Sequence, residues 1–270
     1  MIAQVEIRQL LASIAKRYGY DFTGYSGASL QRRIDSFYVK GRHASFADMQ
    51  NRLLKEPAWF MHFVEEITVN VTEMFRDAGF YKSLREHILP VLATYPFIRI
   101  WHAGCSTGEE VYSMAILLKE AGLLQKSILY ATDINQAVLE KAKTGIFSAG
   151  SMQQNSENYI RCGGTADFSS YYTANYNSAK FDPLLAQKMI FSTHNLAADA
   201  SFNEFQLIVC RNTLIYFDRE LQERVLQLFD KSLDSLGFLA LGSKESLRFS
   251  VIASHYKQAD NKEKIWRKNK

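Results

Sequence analysis

The sequence predicts an α/β fold preceded by a small all-α domain, and two observations carry that prediction. Between residues 5 and 75 apolar side chains recur three and four apart, as in Ile7, Leu10, Leu11 and Ile14 and again in Leu30, Ile34 and Phe37, which is the period of helices packed on one face. Beyond residue 96 short apolar runs alternate with helical ones, the order that builds a parallel sheet with helices on its faces.

The elements follow in order. Glycine-bearing turns at 19–27 and near Gly41 separate the first helices, and Pro57 suits the first turn of a later one. A helix-like segment runs from Ala78 to Leu92, with Pro90 and Pro96 marking its end. Strands are expected at Ile98 to Ala103, Ile128 to Thr132, Met189 to Thr193, Phe205 to Val209 and Phe238 to Leu241, with a last one near Ile265. Helices are expected at Glu109 to Glu120, Ala137 to Lys143 and Arg219 to Leu233. Between Gly145 and Lys188 the chain is polar and studded with aromatic residues, too long for a structureless loop in a packed domain, so it should form its own helix and small strands. The expected organisation is a helical domain over 1–76, a linker helix over 77–95 and an α/β domain over 96–270 with an insert at about 146–188.

Composition sets bounds. At 270 residues with 47% apolar and 13% aromatic content the chain can bury a large core and a small one. A charged fraction of 22% and a net charge of +4 argue against disorder, and any basic patch must be local. The N-terminal residues lack the unbroken apolar core of a secretion signal, and no stretch has the apolar length of a membrane span. Cys105, Cys162 and Cys210 lie far apart, and the six histidines have no ligand spacing, so neither a disulfide framework nor a metal site is expected and a reducing cytoplasm fits.

The segment Ile100-Trp-His-Ala-Gly-Cys-Ser-Thr-Gly-Glu-Glu110 reads as a strand turning through glycines into a helix, with Ser106 and Glu109 at capping-box spacing. Such a turn at the carboxyl end of a strand is where open α/β sheets bind nucleotide-type cofactors. Glu109 and Glu110 follow it immediately and would repel a pyrophosphate, whereas S-adenosylmethionine carries a sulfonium and an ammonium that a carboxylate can hold. Neither G-x-G-x-x-G nor a P-loop lysine is present. The second strand ends in Asp133, about 25 positions beyond Gly108, where an acid can accept from both ribose hydroxyls. Asn135 is available to cap the next helix, which frees Asp133.

Three further segments, Thr68-Val-Asn-Val-Thr-Glu-Met-Phe-Arg76, Asn195-Leu196 and Cys210-Arg-Asn-Thr-Leu-Ile-Tyr-Phe217, join the first two in an order and spacing that resembles the CheR family of chemotaxis receptor methyltransferases. The resemblance runs on through Gly242-Ser-Lys-Glu-Ser246, with Met74 and Lys244 as departures from the usual pattern. It implies a Rossmann-like class I S-adenosylmethionine-dependent methyltransferase domain behind an all-α domain, with a small β-containing insert. It implies a protein-glutamate O-methyltransferase acting on the cytoplasmic domain of methyl-accepting chemoreceptors. Asn70, Thr72, Arg76, Gly104, Asp133, Asn195, Leu196, Arg211 and Asn212 would surround the cofactor with an acid from Glu109 and Glu110, and Arg76 and Tyr216 would stand near the methyl group.

Three rivals weigh less. A base-amine methyltransferase of nucleic acid usually shows a D-P-P-Y type tetrapeptide where this chain has Arg211-Asn-Thr-Leu214. A noncatalytic docking module would show a broken cofactor motif, and a nicotinamide oxidoreductase would show the glycine fingerprint. Finally, residues 26–55 hold Arg32, Arg33, Lys40, Arg42, Arg52 and Lys55 against Asp35 and Asp48. That local excess makes Arg32, Arg33 and Arg42 candidates for docking an acidic receptor.

Overall fold

In the computed structural model, which describes residues 2–269, four helices form the N-terminal part: α1 (Gln4–Tyr18), α2 (Gly27–Lys40), α3 (Phe46–Lys55) and α4 (Pro57–Ile67). Their apolar stripes meet in one core that includes Leu10, Ile14, Ile34, Phe37, Leu53 and Phe63. Pro57 stands at the start of α4, where its missing N–H costs nothing.

Residues 68–77 then cross in an extended path to a helix whose middle departs from α geometry: α5 (Ala78–Ser83) and α6 (Leu89–Leu92) flank a π-helical turn at Leu84–Ile88. Pro90 explains it. A proline ring in a continuing α-helix crowds the carbonyl four residues back, and the wider turn, with Leu89 N–H bonded to the Leu84 carbonyl, relieves that conflict. The helix therefore runs past Pro90 to Leu92.

The remaining elements are β1 (Ile98–Ala103), α7 (Glu109–Glu120), β2 (Ser127–Asp133), α8 (Gln136–Thr144), β3 (Ile146–Ser148), α9 (Met152–Arg161), β4 (Tyr172–Asn175), β5 (Ser178–Phe181), α10 (Pro183–Ala186), β6 (Met189–Thr193), β7 (Phe205–Cys210), α11 (Arg219–Ser232), β8 (Leu233–Leu241), β9 (Tyr256–Asp260) and β10 (Ile265–Lys268). Seven strands form one sheet in the order β6-β2-β1-β7-β8-β10-β9. Its first five strands are parallel, and β10 runs antiparallel to both neighbours. The period of two along a strand divides the core: Ile98, Ile100, Leu207 and Val209 face one layer, and Trp101, Ala103, Ile208 and Cys210 face the other with α11. This is the Rossmann-like fold of a class I methyltransferase behind an all-α domain. The insert folds on itself as the antiparallel sheet β3-β5-β4 with α9.

The strand order reverses between β1 and β7, so a crevice opens at their carboxyl ends. Among the described residues no helix is long and apolar enough to cross a membrane, and no group of three or more His, Cys, Asp or Glu is arranged to hold a metal ion.

Candidate active site

The crevice is a cavity walled by the β1–α7 turn, the ends of β2 and β6, residues 211–217 after β7, the 67–73 segment, and Tyr25 and Arg33 of the helical domain. The β1–α7 turn is built from three left-handed residues, Gly104 (φ 80°), Ser106 (φ 51°) and Gly108 (φ 95°). A Cβ on Gly104 would stand 2.5 Å from Thr213 Oγ1, so only glycine fits there. The expected capping box does not form. Gly108 is the N-cap residue of α7 and no side chain caps it, because the left-handed Ser106 turns its N–H toward Asp133 Oδ2 at 2.9 Å and leaves its own Oγ buried without a partner.

Asp133 is held on both sides, since its Oδ1 accepts from Asn135 N–H at 2.9 Å. Asn135 also caps α8, its side chain accepting from the Ala137 and Val138 N–H groups. Burial pushes the Asp133 carboxyl above its ordinary pKa against the pull of these N–H donors.

The two glutamates part company. Glu110 lines the cavity, accepts from Thr107 in no way, and instead lies 2.8 Å from His102 Nδ1 and 3.7 Å from an Arg211 nitrogen. Burial acts to raise its pKa, but the His102 imidazole and the Arg211 guanidinium outweigh it and hold Glu110 below the usual carboxylate range. Glu109 accepts the Thr107 hydroxyl at 2.7 Å and does not line the cavity. Burial raises its pKa.

Arg211 is almost wholly buried and anchors the linker: it donates to the Arg76 carbonyl at 3.2 Å and to Asp77 Oδ2 at 2.6 Å. Its guanidinium lies 4.1 Å from the Phe80 ring centroid. Asn212, in the left-handed region at φ 59°, is fixed by Glu245. That buried carboxylate accepts four backbone N–H groups, from Gly242 (2.6 Å), Asn212 (3.1 Å), Thr213 (2.9 Å) and Ile215 (3.3 Å). Burial raises its pKa all the same. Asn70, Thr72, Arg76, Leu196 and Tyr216 line the cavity as well. Asn195 does not, because its amide turns to the Gly19 carbonyl of the helical domain at 3.4 Å and to the Ala197 N–H at 2.9 Å.

The basic residues of 26–55 do not form one face. Arg32 and Arg42 are exposed, whereas Arg33 lies in the cavity wall, donates to the Ile67 carbonyl at 2.7 Å and stacks 5.3 Å above the Tyr216 ring. Lys40 and Arg52 are paired with Glu66 and Glu56. Residues the sequence did not single out are Tyr25 and His194, and Glu245 entered only as a member of the Gly242–Ser246 segment, with no role given to it. A glycine-bearing turn, Gly24-Tyr25, was the one available signal for Tyr25.

S-adenosylmethionine fits this donor set. Glu110 and Asp133 offer anionic oxygens, while Ser106 Oγ, His194 Nδ1 and Arg211 Nε are buried in the cavity wall with no partner of their own. Unpaired buried polar atoms are costly, and a polar ligand satisfies them.

Comparison with known proteins agrees. The family described as CheR methyltransferase, SAM binding domain, matches residues 70–264, and the CheR methyltransferase all-alpha domain matches residues 5–68. Cher3 of Pseudomonas putida is 47% identical over 265 residues, covering 98% of this chain and 97% of that one. The chemotaxis protein methyltransferase of Listeria innocua is 30% identical over 236 residues, 87% of each chain. The chemotaxis protein methyltransferase of Salmonella typhimurium is 30% identical over 220 residues, covering 79% of this chain and 70% of that one. On these matches the chain belongs to the CheR methyltransferase family and is an S-adenosylmethionine-dependent methyltransferase.

Proposed function

We propose that the chain esterifies glutamate side chains in the cytoplasmic part of a methyl-accepting chemoreceptor. The observation that carries this reading is the mixed charge of the cavity: the carboxylates Glu73, Glu110 and Asp133 line it, and so do the guanidiniums of Arg33, Arg76 and Arg211 and the Tyr216 phenol. The first set suits a cationic cofactor and the second an anionic acceptor. The relatives named chemotaxis protein methyltransferases support a chemoreceptor as that acceptor. All three cysteines are buried and free, in keeping with action in the cytoplasm.

Bound S-adenosylmethionine supplies an electrophilic methyl carbon. The chain's own residues have the rest to do. Glu110 holds the cationic end, Asp133 the ribose, and Asn70, Thr72, Asn212 and Leu196 complete the enclosure. A glutamate with a pKa of about 4.3 is already ionised at neutral pH, so no side chain need act as base. Arg76 and Tyr216 orient the acceptor carboxylate, and the 68–76 segment keeps water out.

The test is transfer of a tritiated methyl group from S-adenosylmethionine to purified receptor cytoplasmic fragments, followed by mild alkali. Counts released by alkali are expected of an ester, and alkali-stable counts would overturn the glutamate assignment.

A further inference from the structure

We infer that the acceptor segment is held in a groove that leaves the cavity mouth past Ile215 and runs between the start of α11 and the 242–250 turn, with Arg219, Lys244 and Phe249 as its contacts. The inference rests on the acceptor reading above and concerns how that acceptor is gripped.

Continuity is the first observation: Ile215 lines both the cofactor cavity and this groove, so a chain lying in the groove can reach the cavity without leaving the surface. The second is what the groove exposes. Phe249, which lines the groove, is 85% exposed, and Val251, two residues further along the chain, is 70% exposed. Clustered apolar side chains at the rim of a site mark contact surface more than lone ones do.

Charge is the third. Two carboxylates also line the groove, both withdrawn from its surface: Glu245 is buried and saturated by the turn it holds, and the half-buried Glu223 is turned to Ser250 Oγ at 3.0 Å and Val251 N–H at 3.2 Å. Arg219 and Lys244 are exposed, and neither takes part in an ion pair among the described residues. At its surface the groove thus offers two exposed cations and the Phe249 ring. The occupant that complements it is an amphipathic acceptor segment whose apolar side meets Phe249 and whose acidic residues, on either side of the target glutamate, meet Arg219 and Lys244.

Two variants test this with a receptor cytoplasmic fragment as acceptor at low ionic strength: the charge reversal Arg219→Glu with Lys244→Glu, and separately Phe249→Ser. All three side chains are exposed, and a glutamate at the first position of α11 suits the helix N-terminus. In each variant KM for the fragment should rise about tenfold, with kcat at saturating fragment and S-adenosylhomocysteine affinity by calorimetry unchanged. The charge effect should shrink in about 0.5 M salt while the Phe249 effect persists. Unchanged KM in both variants, with normal transfer by the parent protein, would overturn the groove and leave the acceptor reading standing. No transfer by the parent protein to any fragment would overturn the acceptor reading and this inference with it.

Discussion

Replacing Glu245 with glutamine should cost far more than an isosteric exchange suggests. The carboxylate accepts four N–H groups, two on each oxygen: Gly242 and Asn212 on one, Thr213 and Ile215 on the other. An amide has one acceptor oxygen, so at most two bonds survive, and its NH2 faces the other two donors. Two buried donors left unsatisfied cost about 1–3 kcal/mol each. The burial that pushes the Glu245 pKa upward shows that desolvation already offsets part of this, which leaves a net loss of roughly 2–3 kcal/mol. Urea denaturation of the parent protein and Glu245→Gln measures it. Turnover should fall as well, because the released turn carries Asn212 and Tyr216. A variant within about 0.5 kcal/mol of the parent, with turnover intact, would refute the claim that this carboxylate holds the turn.

Three further outcomes are expected. Burial raises the Asp133 pKa, whereas Glu110 is held low by His102 and Arg211. S-adenosylhomocysteine affinity should therefore fall as pH drops through an Asp133 pKa above the ordinary 3.8. Asp133→Asn, weaker above that pKa by about 1.5–3 kcal/mol for each charged hydrogen bond lost, should lack that acid limb in calorimetry. Arg76→Ala and Tyr216→Phe should lose turnover by more than they lose cofactor affinity, and wild-type rates in both would remove them from the reacting centre. Arg33→Ala should raise the KM for receptor and also lower the denaturation midpoint, since it ties Ile67 to Tyr216, whereas Arg32→Glu with Arg42→Glu should alter only the KM for receptor. Equal effects of the two would mean that Arg33 does not hold Ile67 to Tyr216.

What the sequence made legible was governed by local period. Strands β1 and β6 and helix α7 stand at the expected bounds, because each has a central apolar run, Ile100-Trp101, Met189 to Phe191 and Met114 to Leu118. Strand β9 gave none: it is the edge of the sheet and only Tyr256 is buried, so its polar run reads as loop. The first half of β8 was hidden by a break in pattern at Leu236, which sits at φ 64°. In the site, Asp133 and the pair Glu109 and Glu110 could be named from their places after β1 and β2. The choice between Glu109 and Glu110 could not, since it is made by His102 on β1 and Arg211 after β7. Arg33 and Glu245 act on elements far away in sequence, Arg33 on Tyr216 and Glu245 on 212–215, and no periodicity reports such contacts.

One wall of the cavity belongs to the helical domain, which reaches the sheet domain through the Ser26 N–H to Tyr216 carbonyl bond (2.7 Å), the Asp218 N–H to Gly24 carbonyl bond (2.8 Å) and the packing of Tyr25 on Phe217. A ligand that touches both walls strengthens their docking by as much as docking strengthens the ligand, since linkage is reciprocal. Opening of the seam should therefore be suppressed by the factor 1 + [L]/Kd, with L the free ligand. The Ser26 and Asp218 amides become reporters of occupancy, exchanging their hydrogens more slowly as S-adenosylhomocysteine is added although neither need touch it.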